Sequence, residues 1–125
     1  MTQQRVNLGQ YGENATVDFL KKQGYEILES NYRNRFGEID IIAREKGVIC
    51  FVEVKTRTNP AHGSAFESVT PQKQKKLARV ALGYLEEKNF LEKPARFDVV
   101  AVEPNSPEHA QIQVLKNAFE VSQDE

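Results

Sequence analysis

Two apolar, strand-like runs lie back to back in this chain, and each is broken by charge. The first is Gly37-Glu38-Ile39-Asp40-Ile41-Ile42-Ala43 and the second is Val48-Ile49-Cys50-Phe51-Val52-Glu53-Val54-Lys55. Side chains alternate faces along a strand, so Glu53 and Lys55 share a face with Phe51 and Arg57, while Cys50, Val52 and Val54 point the other way. On the first run Glu38 and Asp40 share a face, with Ile39, Ile41 and Ala43 opposite. A hairpin between the two runs would bring two carboxylates and an ammonium over one patch of sheet.

The turn decides whether they meet. A two-residue loop at Lys46-Gly47 pairs Glu45 with Val48, which sets Asp40 opposite Glu53 and Glu38 opposite Lys55. A four-residue loop keeps that parity. A three-residue loop slips the register by one and sends Asp40 and Glu53 to opposite faces unless a bulge corrects it. All three are compatible with the sequence. Opposed side chains stand about 4.5–5.5 Å apart at Cβ, where like charges destabilise a sheet. A facing Asp and Glu therefore call for a cation between them.

At 125 residues the chain is read as one domain, able to bury about 60–70% of its unfolded surface without staples. Residues 1–7 and 122–125 are expected to fray. Its single cysteine, Cys50, falls among valines and reads as a small core residue, not a nucleophile. The amino terminus has no apolar signal core, and no run approaches the about 20 apolar residues of a membrane span. A soluble, cytoplasmic protein with no membrane partner is expected.

A net charge of −1 hides an uneven distribution. Residues 31–80 carry ten Lys and Arg against five Asp and Glu, and the remainder carries seven against thirteen. Phosphate affinity follows the local field, so an acidic exterior does not exclude a basic cleft. The basic segment also contains Asp40, Glu53 and Lys55.

The first element is expected to be a helix from about Leu8 to Gln23, stopped by Gly24. Tyr11, Ala15 and Phe19 recur at helical spacing, and Gly9 and Gly12 would permit close approach to a sheet. Glu13 heads a second stripe with Thr16, Val17 and Leu20, which puts its carboxylate at the border of the buried side. A plain solvated glutamate is the alternative. Tyr25 to Tyr32 reads as a strand and Asn31 to Phe36 as a polar turn carrying Arg33 and Arg35. The segment from Asn59 to Val69 is a long loop with His62 near its middle, a proton shuttle or phosphate ligand if it is more than solvated.

Thr70-Pro71 announces a second helix running to about Asn89, with threonine as N-cap and proline at the first helical position. Leu77, Val80, Ala81, Tyr84 and Leu85 form its apolar stripe, and Lys73, Gln74, Lys75, Lys76 and Arg79 crowd its first turns. Cations there oppose the helix dipole, a cost that anionic ligands would relieve. Ala95 to Glu103 is a further strand, with Phe97, Val99 and Ala101 on one face and Asp98 and Val100 on the other. Pro104 to Pro107 reads as a turn, Gln111 to Leu115 as a short edge strand, and Asn117 to Val121 as a short closing turn or helix. The fold class is α/β, a mixed central sheet flanked by helices.

A helix glutamate, Gly-Glu-Ile-Asp-Ile-Ile, Phe-Val-Glu-Val-Lys-Thr-Arg, and a Lys-Gln pair opening a helix together resemble the restriction-endonuclease-like superfamily with the PD-(D/E)xK signature. Ile39 stands where that signature names proline. Over roughly Leu8 to Val121 the chain looks like the small bacterial YraN-type proteins, which are similar to archaeal Holliday junction resolvases. The resemblance implies an α/β sandwich and a nuclease of possibly branched DNA. It makes Asp40 and Glu53 metal carboxylates, the Val54 carbonyl a third oxygen ligand, and Mg²⁺ or Mn²⁺ the ion. By the same resemblance Lys55 stands beside a metal-bound water, and Glu13 reaches a second metal or a metal water. Gln74 and Lys73 approach from the second helix, and Arg33, Arg35, Arg57 and Lys76 take flanking phosphates. A homodimer follows only by analogy with junction resolvases. Two other readings stay open: a non-catalytic nucleic-acid-binding module, and a scaffold or protein-binding domain in which Glu53 or Asp40 simply pairs with Lys55.

Overall fold

The computed structural model describes residues 2–58, 64–106 and 109–120. Helix α1 spans Thr2–Lys22, followed by strands β1 (Glu26–Asn34), β2 (Gly37–Glu45) and β3 (Val48–Thr56). A 3-10 turn at Phe66–Ser68 leads to helix α2 (Pro71–Glu87), then β4 (Ala95–Ser106) and β5 (His109–Phe119). The five strands form one sheet in the order β1-β2-β3-β4-β5. Only β3 and β4 run parallel, because α2 carries the chain across between them. This is the expected mixed α/β sandwich.

Each helix seals one face of the sheet. On the α1 side Leu20 and Tyr25 pack with Ile41, Ala43, Cys50, Val52, Val100 and Val102. On the α2 side Leu77, Val80, Ala81 and Tyr84 pack with Ile39, Ile42, Ile49, Phe51 and Val99. The stripe expected for α2 is the buried one, and Thr70 caps the helix as expected, its hydroxyl accepting from the Lys73 N–H. Cys50 is fully buried, and burial pushes its thiol up to about 11, which suits a core residue and not a nucleophile.

Helix α1 begins six residues before the expected start. Its deepest residues are Gly12, Thr16 and Leu20, with Tyr11, Ala15 and Phe19 only half-buried. Gly12 lies against Thr56 at the end of β3, and a Cβ there would run into the threonine hydroxyl. Gly9 has no such neighbour, so only one of the two glycines serves close packing.

Three other boundaries differ from the sequence reading. The polar turn expected over Asn31 to Phe36 shrinks to Arg35-Phe36, since Asn34 already pairs with Gly37. Strand β4 continues through Pro104 to Ser106, and the expected turn there is absent up to that residue. Proline is tolerated because β3 stops pairing at Val102, so residue 104 has a neighbour on one side only. The segment from Asn117 onward is strand and not a closing turn or helix as far as Phe119, which pairs and stacks with Phe97 at 4.7 Å. Asn117 takes a φ of 52°, and its N–H donates to the Asp98 carboxylate at 2.9 Å. The kink is thereby absorbed as an irregularity of the ladder.

Candidate functional site

The β2–β3 turn is the two-residue one. Lys46 and Gly47 have φ values of 51° and 82°, the doubly left-handed form that suits the twist of a tight hairpin. The ladder accordingly runs from Glu45 opposite Val48 to Ile41 opposite Val52. One more step would set Asp40 against Glu53. The strands part there instead, while β3 stays paired with β4 as far as Thr56.

Asp40 occupies the resulting fork. Its Oδ2 accepts from the Val54 N–H at 2.8 Å, taking the place of a β2 carbonyl. The regular alternation assumed from sequence fails at this residue: Ile41 and Ala43 pack on the α1 side, but Ile39 packs on the α2 side. On β1, Asn31 lies between the pairs Ser30–Ile41 and Tyr32–Ile39 and has a φ of 54°. Both strands are thus kinked at the same level, and the kink turns the Asp40 carboxylate towards β3.

Glu53 meets it from the other strand. The two carboxyls are close enough for the charge of one to raise the pKa of the other. Burial first, then the charge of Glu53, push Asp40 up to about 7, with Glu13 adding to the rise and the Val54 N–H opposing it. Glu53 is 7% exposed. Its Oε2 receives Lys55 at 3.5 Å and Lys73 at 3.2 Å, one ammonium from its own strand and one from α2. Two cations on one oxygen offset the cost of burying that charge.

Glu13 reaches the edge of this group because Gly12 lets α1 close on Thr56. Burial raises its pKa, with the Asn31 side chain opposing the rise and Glu38 and Glu53 adding to it. Gln74 turns away and donates its Nε2 to the Val69 carbonyl at 3.0 Å. Lys73, its neighbour in the expected pair, is the one that reaches the carboxylates.

The basic side chains divide into groups. Arg33 pairs with Glu38 at 2.8 Å, so Glu38 sits with β1's arginine and not opposite Lys55. Arg35, Lys73, Lys75, Lys76 and Arg79 line an open groove of about 730 Å³ beside the amino-terminal half of α2. Arg57 lies apart from them, lining a cleft of about 390 Å³ with Ser64, Gln111 and Gln113. His62 lies outside the described residues.

One buried network has no counterpart in the sequence reading. Arg96 donates to Asp98 at 2.9 Å, to Glu45 at 2.7 Å and to the Tyr25 hydroxyl at 3.0 Å, and Lys116 closes on Glu45 at 2.9 Å. The signal available was Arg96-Phe97-Asp98, a charged pair two residues apart at the start of an apolar strand. The network sits at the end of the sheet remote from the fork.

The donors at the fork fit a hard divalent cation: two carboxylates already forced together, and the Val54 backbone beside them. Among the described residues no group of three or more His, Cys, Asp and Glu side chains is arranged to hold a metal. An ion here would keep several waters, as Mg²⁺ does.

Fold and site together define a class of small α/β proteins in which a parting pair of strands presents two acids and a lysine beside a basic groove. The model of "Uncharacterised protein family UPF0102" matches residues 12–102, and the chain belongs to that family, which is the YraN-type family the sequence resembles. It is 45% identical over 119 residues to a UPF0102 protein of Syntrophus aciditrophicus, covering 95% of this chain and 93% of that protein. A UPF0102 protein of Geotalea uraniireducens is 47% identical over 116 residues, 93% and 91% of the two chains. One of Chlorobaculum parvum is 47% identical over 120 residues, 92% and 93% of the two chains.

Proposed function

We propose that the protein is a metal-dependent nuclease of the restriction-endonuclease-like superfamily, hydrolysing phosphodiester bonds in DNA, branched DNA included, in the cytoplasm. The observation that carries this reading is the enforced meeting of Asp40 and Glu53 in the fork, with Lys55 beside them. Asp40, Glu53 and the Val54 carbonyl would hold Mg²⁺ or Mn²⁺, with Glu13 behind them. When bound, the ion would supply a water of lowered pKa and would stabilise charge on the phosphate oxygens. Lys55 Nζ would donate a hydrogen bond to the attacking oxygen, and Lys73 would hold the scissile phosphate once it leaves Glu53. Gln74 serves in this reading only indirectly, by bonding the loop ahead of α2. Arg35 and Lys76 would bind flanking phosphates, with Arg57 on a separate path; Arg33 would first have to release Glu38.

The pairing of Glu53 with two lysines favours a second reading, a non-catalytic nucleic-acid-binding module in which that carboxylate is already neutralised. Calorimetric titration with Mg²⁺ and Mn²⁺ separates the two. Wild type should bind an ion that Asp40→Asn does not, and should cleave duplex, flap or four-way-junction DNA in an ion-dependent way that both Asp40→Asn and Lys55→Ala abolish. Equal metal binding by wild type and Asp40→Asn, or equal cleavage, refutes the assignment.

A further inference from the structure

The tip of the β1–β2 hairpin places an aromatic ring where the basic groove opens. Phe36 is 39% exposed and lines the groove with Arg35, Lys73, Lys75, Lys76 and Arg79, and none of the described residues lining it is acidic. The turn that carries the ring is held in place. Asn34 accepts from the Phe36 N–H at 3.0 Å and donates to the Val80 carbonyl at 3.1 Å, which fastens the turn to α2. Gly83 makes room for this, since a Cβ there would stand 2.8 Å from Asn34 Nδ2. The Arg35 guanidinium lies over the ring, 4.7 Å from its centroid.

We infer that Arg35 and Phe36 form a stacking platform for an unpaired base, so that the groove takes a strand with at least one nucleotide outside a duplex. The inference deepens the proposed function and rests on it for the direction of the strand, since Lys73 belongs both to the groove and to the carboxylate site. A groove lined by cations selects a phosphate backbone, and duplex DNA could satisfy it with phosphates alone. Arg35 alone could serve a phosphate, but an exposed ring beside it adds nothing to phosphate binding. It has a use when a base presents its flat face, as single strands, flaps and branch points do. Stacking tolerates any base, so little sequence preference is expected.

The test is binding and not cleavage, measured in EDTA by fluorescence anisotropy, so a failed nuclease assay leaves it intact. The probes are a labelled single strand in DNA and RNA versions, a DNA flap, and a blunt duplex of the same length. Phe36→Ala should weaken binding to the single strand and the flap by about 5- to 100-fold while changing duplex binding less than about 2-fold. Phe36→Trp should restore affinity, and its fluorescence should be quenched by the single strand and not by the duplex. Loss confined to one sugar type names the strand. Equal loss on duplex and single strand, or no loss with either sugar, overturns the inference. Because Phe36 is surface-exposed, circular dichroism of both variants should match wild type.

Discussion

Removing the charge of Asp40 should make the metal-free protein more stable. A carboxyl whose folded-state pKa is raised binds protons more tightly folded than unfolded. That contribution is fully present below the ordinary value of 3.8 and is lost as pH rises through about 7. Above pH 7 the folded protein therefore carries an unfavourable charge. A shift of about three pKa units corresponds to a ceiling of about 4 kcal/mol at about 1.4 kcal/mol per unit. Asparagine must still bury a polar amide in the same place, so about half of that is expected. Asparagine keeps an oxygen for the Val54 N–H and sheds the repulsion. In EDTA at pH 8, Asp40→Asn should gain about 2 kcal/mol, roughly 5–10 °C in Tm for a chain of this size. The gain should vanish as pH falls towards 4. Thermal melts of both proteins from pH 4 to 8 provide the measurement, and the difference between them cancels acid effects elsewhere, such as loss of the Glu45 ion pairs. Millimolar Mn²⁺ should then raise the Tm of wild type alone. A variant no more stable than wild type at pH 8 would falsify the electrostatic account of the fork.

The remote network should behave in the opposite sense. Asp98→Ala strips Arg96 and the Asn117 N–H of their shared acceptor and should cost about 3–5 kcal/mol, read as a lower urea midpoint. Gly12→Ala should cost about 1–3 kcal/mol through its collision with Thr56. Gly9→Ala on the same helix, with nothing near it, should add about 0.5–1 kcal/mol; equal effects at the two sites would show that α1 does not close on β3. Thr70→Ala should cost about 1 kcal/mol by removing the cap on the Lys73 N–H, and hydrogen exchange should speed up in the first turn of α2.

The parts of this fold legible in the sequence are those fixed by local rules. Lys46-Gly47 suits a doubly left-handed turn, one of the three loops the sequence allows, and that loop sets the β2–β3 register from Glu45 and Val48 to Ile41 and Val52. The α2 stripe and its Thr-Pro start were equally local. Alternation failed at Asp40 because counting faces assumes an unbroken pleat, and the break is shared with Asn31 on another strand. Pro104 and Asn117 look like stops, yet one lies beyond the reach of β3 and the other is held by Asp98. The network itself joins residues 51 and 73 positions apart, and no spacing rule connects such pairs. Of the expected site, Asp40, Glu53, Lys55, Lys73 and Glu13 converge. Gln74 and Arg57 do not, because side-chain reach from a helix turn or a strand end depends on packing that the sequence does not state.

A purely structural account of the fork has to explain why the strands part at all. Had β2 continued beside β3, its backbone would have satisfied the Val54 N–H, and two more residues would have joined the ladder. Instead a carboxylate does that work, in a place where burial and a second carboxylate both oppose its charge. A cluster kept for stability would more simply carry asparagine at position 40 and leave Glu53 to its two lysines. The surplus negative charge gains a purpose when a cation arrives, and Lys73, already shared with the basic groove, is the group such a cation would displace towards phosphate. Metal binding and nucleic-acid binding should therefore favour each other through Lys73, and by linkage each should raise the affinity of the other by the same factor. In Lys73→Ala that factor should fall towards one, while the metal affinity of the free protein rises because a competing ammonium has gone from Glu53. Titrating metal with and without a single-stranded oligonucleotide measures both quantities, and an unchanged factor would show that the two sites are not coupled through this lysine.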